Sequence, residues 1–285
     1  MKKCIIIGAG SAVAQNFIDQ YQKEFEIHAF ARKNLEQEFD IQFYQTNYQD
    51  LENYKTLFNQ ADTIIYCIGV TNASDDGIKK INIDVFDNFF KLIETSKNVI
   101  FISSAAILFN QGAYVDSKLH AENYLKNSKH NYISLRPSVM HGKFDKNNII
   151  KMQEFIQKLP FIPVIAPNYV IQPVYMKDIA RVMANAINKN KFTNKNYVIS
   201  GPAQVKLYNV FSLLKRKLKS KKILIPIPLK PVQIIVKILS YFLPKDLIMA
   251  HQILNMKIHA PFDSSELVND LDYKNQSFEE TIFEY

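Results

Sequence analysis

The opening fourteen residues constrain this chain more than any other stretch. Lys3-Cys4-Ile5-Ile6-Ile7 is a short apolar run, Gly8-Ala9-Gly10 a glycine turn, and Ser11-Ala12-Val13-Ala14 the start of a helix. A strand that is apolar at successive positions has no face to give to water, so it belongs inside a parallel sheet covered on both sides. Gly8 can adopt a turn conformation closed to a side chain, and Gly10 lets backbone amides approach a pyrophosphate. The helix start adds unpaired N–H groups and the positive end of a dipole. Ala12 and Ala14 fill the small position where helix and strand pack closely. The competing reading is an ordinary βα turn with no ligand.

The same alternation continues through the first half. Glu26–Phe30, Ile41–Tyr44, Thr63–Ile68, Asn98–Ser103 and Tyr132–Leu135 read as strands. Helical patterns lie between them, from Ser11 to about Lys23, from Leu51 to Phe58, from Ile78 to Lys97 and from Ala113 to Leu125. The fold class is therefore α/β, a Rossmann-type doubly wound parallel sheet. After Pro137 prolines cluster and the texture changes, although Gln172–Tyr175 reads as one more strand and Lys177–Ile187 as one more helix. The predicted division is a dinucleotide-binding domain over 1–190, with 141–170 contributing to a second lobe, and a smaller mixed C-terminal substrate lobe over 191–285.

Where a dinucleotide site places an Asp or Glu for the ribose hydroxyls of NAD, this chain has Phe30-Ala31-Arg32-Lys33. Two cations suit a 2′-phosphate and leave a bare diol without an acceptor, so the expected cofactor is NADP, with NAD the less favoured. A pair of surface cations in a lysine-rich chain is the plainer alternative.

Two Tyr-x-x-x-Lys pairs occur, Tyr114/Lys118 and Tyr241/Lys245, about as many as chance gives in a chain so rich in both residues. Context separates them. Tyr114 follows a buried strand ending in Ser103-Ser104, and the carboxyl ends of parallel strands are where ligands bind. Residues four apart on a helix share a face. An ammonium at Lys118 is expected to lower the phenol's pKa, so that Tyr114 exchanges a proton with a carbinol or carbonyl oxygen while Ser104 holds that oxygen. Asn82, in the neighbouring helix, is expected to hold a water that relays protons through the lysine.

These motifs resemble the extended branch of the short-chain dehydrogenase/reductase superfamily, the nucleotide-sugar epimerases, dehydratases and reductases. The resemblance runs through Gly8–Ala14, Asn47–Asp50, Asn82, Ser103-Ser104, Tyr114/Lys118, Arg136-Pro137, Gln172–Asp178 and Phe262–Leu267. It implies that Ser104 orients the substrate, Tyr114 is the acid/base, Lys118 holds the nicotinamide ribose and Asn82 completes the relay. It implies cofactor contacts at Gly8, Gly10, Ser11, Ala12, Val13, Arg32 and Lys33, with Ile68 and Gly69 under the cofactor, Asn47 and Tyr48 beside the adenine, and Pro137 and Ser138 flanking the nicotinamide. The activity implied is NADP-dependent reduction or epimerisation of a nucleotide-diphosphate sugar through a 4-keto form, in surface polysaccharide biosynthesis. Departures from the pattern are Ser11 and Ala14 for glycines, Asn47 for an Asp, and Leu108-Phe109 for Tyr-Gly. The loop from Ser104 to Tyr114 is short, and with Leu159–Val164 it also looks like the reductase-like accessory subunit of respiratory complex I. That leaves a second reading, a cofactor-holding structural or regulatory subunit on a membrane complex.

Charge bears on partners. From Gln204 to Lys245 there are ten Lys or Arg and no Asp or Glu, and this one segment holds all of the chain's positive excess of +8. It has few aromatic neighbours, which argues against nucleic acid. Pro231–Leu243 covers about 20 Å as a helix against about 30 Å of hydrocarbon, too short to span. It reads as a lobe helix with a solvated lysine face, with peripheral contact to an anionic membrane as the other option. His141 lies at the expected mouth of the site and Gln172 on the strand beyond it. Both are candidate substrate contacts, but a surface or packing histidine is the preferred reading of the former, and the latter reads either as a substrate contact or as a strand cap. The two cysteines, Cys4 and Cys67, sit in apolar runs without co-ligands, so no metal site is expected and a reducing compartment is favoured. Met1-Lys2-Lys3 does not look like a signal peptide, and the expected location is cytoplasmic, with the inner membrane face as a second contact. The sequence leaves the oligomeric state open, with a homodimer one option because long helices on one face of such folds often pair.

Overall fold

The computed structural model describes residues 1–35, 39–71, 73–239 and 261–285, with main chain only at 235–239. The Tyr241/Lys245 pair and the end of the Pro231–Leu243 segment lie outside the described residues.

Strands and helices alternate as β1 (Lys3–Ile7), α1 (Ala12–Tyr21), β2 (Glu26–Ala31), β3 (Gln42–Gln45), α2 (Lys55–Asn59) and β4 (Thr63–Tyr66). Next come α3 (Asp75–Lys79), α4 (Val85–Lys91), β5 (Asn98–Ile102), α5 (Ala113–Lys126) and β6 (Asn131–Pro137). Beyond these lie β7 (Met140–His141), α6 (Ile149–Lys158), β8 (Ile162–Ile165), β9 (Val170–Ile171) and β10 (Val174–Tyr175). The remaining labelled elements are α7 (Met176–Lys189), β11 (Lys195–Ile199), β12 (Val205–Lys206), α8 (Leu207–Lys217), β13 (Leu224–Ile227) and α9 (Leu229–Leu239).

Seven parallel strands form the main sheet in the order β11-β6-β5-β4-β1-β2-β3. The strand order reverses between β1 and β4, which opens a crevice at their carboxyl ends. Alternation sends Cys4 and Ile6 to one face and Ile5 and Ile7 to the other. The first pair packs with Val13, Phe17 of α1 and Ile179, Met183 of α7. The second packs with Phe58, Tyr66, Phe86, Phe89 and Phe90. No residue of the run faces water, which is why the strand is apolar throughout.

Two expectations need correction. The segment read as one helix from Ile78 to Lys97 is α3 and α4 joined by a π-helical turn, Lys80–Asp84, that carries Asn82. The predicted boundary at 190 fails because β11 is the seventh strand of the main sheet, paired with β6 from Lys195↔Ile133 to Ile199↔Pro137. The late helix Ser265–Leu271 also returns to this domain, burying Leu267 and Leu271 in its core, and Tyr273 just after it joins them.

The smaller lobe has its own core of Ile149, Ile156, Ile162, Val164, Val210, Phe211, Leu214 and Phe278. Here α6 and α8 pack beside the parallel two-stranded ribbon of β8 and β13, and the helix Phe278–Thr281 closes one side. The basic α8 is thus a lobe helix that buries Val210 and Leu214. No described helix is long and apolar enough to cross a membrane.

Candidate active site

Two hydrophilic features converge at the carboxyl ends of β1, β4 and β5. The first is a cleft of about 320 Å³ over the β1 turn. Gly8 has φ +87°, and a Cβ there would come within 2.9 Å of the Ile68 backbone nitrogen, so only glycine fits. Gly10 is different: a Cβ would meet nothing nearer than the Ala31 Cβ at 4.0 Å. Nothing in the protein requires glycine at that position, and the space it leaves belongs to the cleft it lines. Ser11 caps α1 by accepting from the Ala14 N–H at 3.2 Å. The N–H groups of Ala12 and Val13, in the first turn, have no intrahelical acceptor. The Val13 side chain itself is buried in the core, so its share in a ligand site is its amide.

The opposite lip carries Arg32 and Lys33 just past the end of β2, with the Arg32 guanidinium 5.7 Å over the Tyr48 ring. Ile68 and Gly69 form the floor after β4. Among the described residues of this lining there is no Asp or Glu. Asn47 instead lines an adjoining hollow with Arg32, Thr46 and Asp50. Gln15 and Lys146 also line the cleft, and sequence reading missed both. Gln15 is one helical turn beyond the glycine turn, where its side chain donates to the Gly10 carbonyl at 3.0 Å, a position the helix period could have flagged. Lys146 arrives from a loop in the second half of the chain, and no local spacing points to it.

The second feature is the Ser104–Tyr114–Lys118 set. The Lys118 Nζ lies 5.9 Å over the Tyr114 ring, and the Ser104 hydroxyl accepts from the Ala106 N–H at 3.2 Å. Burial raises the phenol's pKa, and Ser104 opposes that rise. The expected lowering by Lys118 is therefore corrected: among this chain's own groups, Ser104 is the one that favours the phenolate. Lys118 is buried and donates to the carbonyls of Ile68 at 3.0 Å and Ile102 at 2.8 Å. Burial brings its ammonium down to about 8, with Cys67 and Glu122 pulling the other way. A Cβ on Gly69 would lie 2.9 Å from the Lys118 Nζ, so this glycine makes room for the lysine and joins the two features.

Asn82 is also corrected. Its Oδ1 accepts from the Val70 N–H at 2.9 Å, and its Nδ2 donates to the Val70 carbonyl and to Ser117 Oγ, both at 3.1 Å. The amide is spent on fastening the loop after β4 to α5, which leaves it no donor for a relay water. Pro137 and Ser138 end β6, where the Ser138 N–H donates to the Ile199 carbonyl at 3.0 Å and its hydroxyl to the Gln172 carbonyl.

The two substrate candidates take their structural alternatives. His141 is fully buried, 3.3 Å from the Tyr285 hydroxyl and stacked on Tyr175, and burial takes its pKa to about 3. It is a neutral packing histidine of the smaller lobe. Gln172 accepts from the Phe262 N–H at 2.8 Å and donates to the Gly201 carbonyl at 2.8 Å, to Ser200 Oγ at 3.1 Å and to the Phe262 carbonyl at 3.2 Å. Buried and fully bonded, it ties three chain segments together.

No protein-family profile matches the chain, and no curated protein does. Solved structures do. The UDP-glucuronic acid 4-epimerase of Bacillus cereus, in complex with UDP-glucuronic acid and NAD, aligns with TM-score 0.78 at 13% identity over 99% of this chain and 98% of that one. The UDP-N-acetylglucosamine 4-epimerase of Methanobrevibacter ruminantium aligns with TM-score 0.76 at 16% identity, over 99% and 96%. The ADP-L-glycero-D-manno-heptose-6-epimerase of Helicobacter pylori gives 0.76 at 14%, over 99% and 94%. At these identities the likeness is one of fold: the parallel-sheet α/β architecture of this chain is shared with these solved nucleotide-sugar epimerases.

Proposed function

We propose that this chain is a nicotinamide-dinucleotide-dependent enzyme that reduces or epimerises a nucleotide-diphosphate sugar through its keto form. The observation that carries the reading is the buried Lys118 ammonium 5.9 Å over the Tyr114 ring, with Gly69 opening the lysine onto the cleft over Gly8 and Gly10. The epimerase folds above, two of them solved with a UDP-linked sugar, support the substrate class.

The cleft fits a dinucleotide: a turn with φ +87°, room at Gly10 and unpaired amides at Ala12 and Val13 are what a pyrophosphate needs. When bound there, the nicotinamide supplies or accepts the hydride. The protein's part is proton chemistry at the sugar oxygen. The raised phenol pKa keeps Tyr114 protonated at neutral pH, poised to donate to a carbonyl oxygen, while Ser104 bonds that oxygen and steadies the phenolate left behind. Lys118, fixed by two carbonyls, keeps its charge below about pH 8. A purely structural cofactor-holding subunit would need none of the three groups.

The finer reading is NADP, supported by Arg32 and Lys33 on the cleft lip and by the absence of a carboxylate among its described lining residues. The Bacillus cereus neighbour holds NAD, so the comparison of KM for NADPH and NADH decides, and a clear NADH preference would overturn NADP. A role in surface polysaccharide synthesis belongs to the same proposal. The central test is Tyr114→Phe, expected to cut turnover by about 10²- to 10⁴-fold while leaving dinucleotide binding intact. An unchanged rate on keto-sugar nucleotides would remove the catalytic assignment.

A further inference from the structure

We propose that the outer face of the β8–β13 ribbon is a docking surface for the anionic headgroups and upper acyl region of a phospholipid bilayer. The inference is independent of the enzymatic reading and comes from a face that breaks the usual rule for a half-buried sheet.

In a two-stranded ribbon packed on a core, alternate residues should be apolar inward and polar outward. On the inward side Ile162 and Val164 are fully buried and Leu224 packs on the same core, with Pro226 exposed where the ribbon leaves it. The outward set should be polar and is not. On β8 and the residue before it, that set is Phe161, Pro163 and Ile165; on β13 and its preceding residue it is Ile223, Ile225 and Ile227. Phe161 is 47% exposed, Ile223 71% and Ile225 40%. The strands pair in parallel with Leu224 opposite Ile162, and the Ile162 N–H donates to the Ile223 carbonyl at 2.9 Å, so these side chains form one patch.

The rim supplies the charge that selects the partner. An open groove of about 730 Å³ runs beside the patch, lined by Pro160, Phe161, Ser220, Lys221 and Ile223 among others. Lys219 and Lys221 are exposed in the turn that enters β13, and Lys230 is exposed where the chain leaves it. Lys222 donates to the carbonyls of Ile156 and Gln157 at the end of α6, adding its charge beside the groove. The sequence from Gln204 to Lys245 contains no carboxylate, and Glu154, the one acid on α6, is paired with Lys158 at 3.4 Å. An apolar patch rimmed by lysines that have no carboxylate partner among the described residues matches the layering of an anionic membrane surface, acyl chains below and phosphates at the rim.

Strand addition by a protein partner is a poor fit. The Ile223 and Ile227 carbonyls turn toward β8, so the alternate positions face the free edge of β13. There Pro226, and Pro228 just beyond the strand, offer no N–H to a further strand.

The test is flotation of the full chain with vesicles of phosphatidylcholine alone or mixed with phosphatidylglycerol. We expect binding to the mixed vesicles only, and release at about 0.5 M salt, where screening shortens to a few ångströms. The double substitution Ile223→Asp, Ile225→Asp should lower binding by more than about tenfold, and Lys221→Glu by about fivefold or more. Both alter exposed side chains outside the catalytic set, so melting temperature and NADPH turnover should be unchanged. No binding to mixed vesicles, or equal binding to neutral ones, overturns the proposal. So does unaltered binding by the double variant. If sedimentation shows instead that the variant converts a dimer to a monomer while vesicles bind neither form, the face belongs to a second copy and the membrane assignment is wrong.

Discussion

The central sheet and the β8–β13 ribbon are written in nearly the same code and end in different circumstances. Ile5-Ile6-Ile7 and Ile223-Leu224-Ile225 are both unbroken aliphatic runs. In β1 every residue of the run is fully buried, because α1 and α7 cover one face and the aromatic helices the other. In the ribbon one face packs on the lobe core, and on the other Ile223 is 71% exposed. Apolar runs report that a strand has two dry faces in its working state; they do not report whether this chain supplies both covers. The two glycines of the cleft make the same point at smaller scale. Gly8 is demanded by the protein's own packing, Gly10 by nothing in the protein.

The sharpest way to break the first comparison is to truncate either side of the ribbon. Ile162→Ala removes fully buried methylenes from the lobe core and should cost about 2–5 kcal/mol in urea unfolding, whereas Ile223→Ala should stay within about 0.5 kcal/mol. Equal losses would mean that the outer face is covered. The glycine comparison gives the next effect. Gly8→Ala forces a side chain into a positive-φ turn against the Ile68 backbone and should destabilise by about 1–3 kcal/mol. Gly10→Ala should melt like the parent and lose dinucleotide affinity, read by fluorescence titration; a normal affinity would mean that the cleft does not hold a pyrophosphate there. The smallest effect is electrostatic. His141 titrates at about 3 when folded and near 6.5 when unfolded, so the unfolded chain binds the extra proton between those values. Stability should therefore fall as pH drops from 6.5 toward 3, and His141→Gln should flatten that slope by up to one proton. An unchanged slope would place the histidine in a wetter setting than the packing against Tyr175 and Tyr285 implies.

Much of this was legible in the sequence, for reasons tied to particular residues. The five interior strands of the main sheet announce themselves because burial on both faces forces largely apolar runs, while β3 at one edge shows only Phe43 and Tyr44 between glutamines. Gly8, Gly10, Ser104, Tyr114 and Lys118 are readable because strand-end and helix-face spacing places them locally. The seventh strand, Lys195–Ile199, is an edge strand with a half-exposed pattern, so it reads as part of the later lobe. The π-turn at Lys80–Asp84 is invisible to periodicity, since Ile81, Val85 and Phe89 keep helical spacing through it. His141 and Gln172 could not be assigned partners locally because those partners, Tyr285 and Phe262, are distant in sequence. Lys118 was understood only in part: its anchors are backbone carbonyls of Ile68 and Ile102, which carry no side-chain signature.

One arrangement has a bearing on how the molecule comes into being. Phe262 bonds Gln172, the Tyr273 hydroxyl donates to the Ser200 carbonyl at 2.7 Å, and Tyr285 meets His141. These ties reach the end of the main sheet and the floor of the lobe from a stretch translated long after either. While the ribosome is still working, the nascent sheet must wait with Gln172, Ser200 and His141 unsatisfied. Maturation is thus a clasp fastened last, and a prematurely stopped chain would keep its glycine turn yet lack the buckle that sets the two lobes around it.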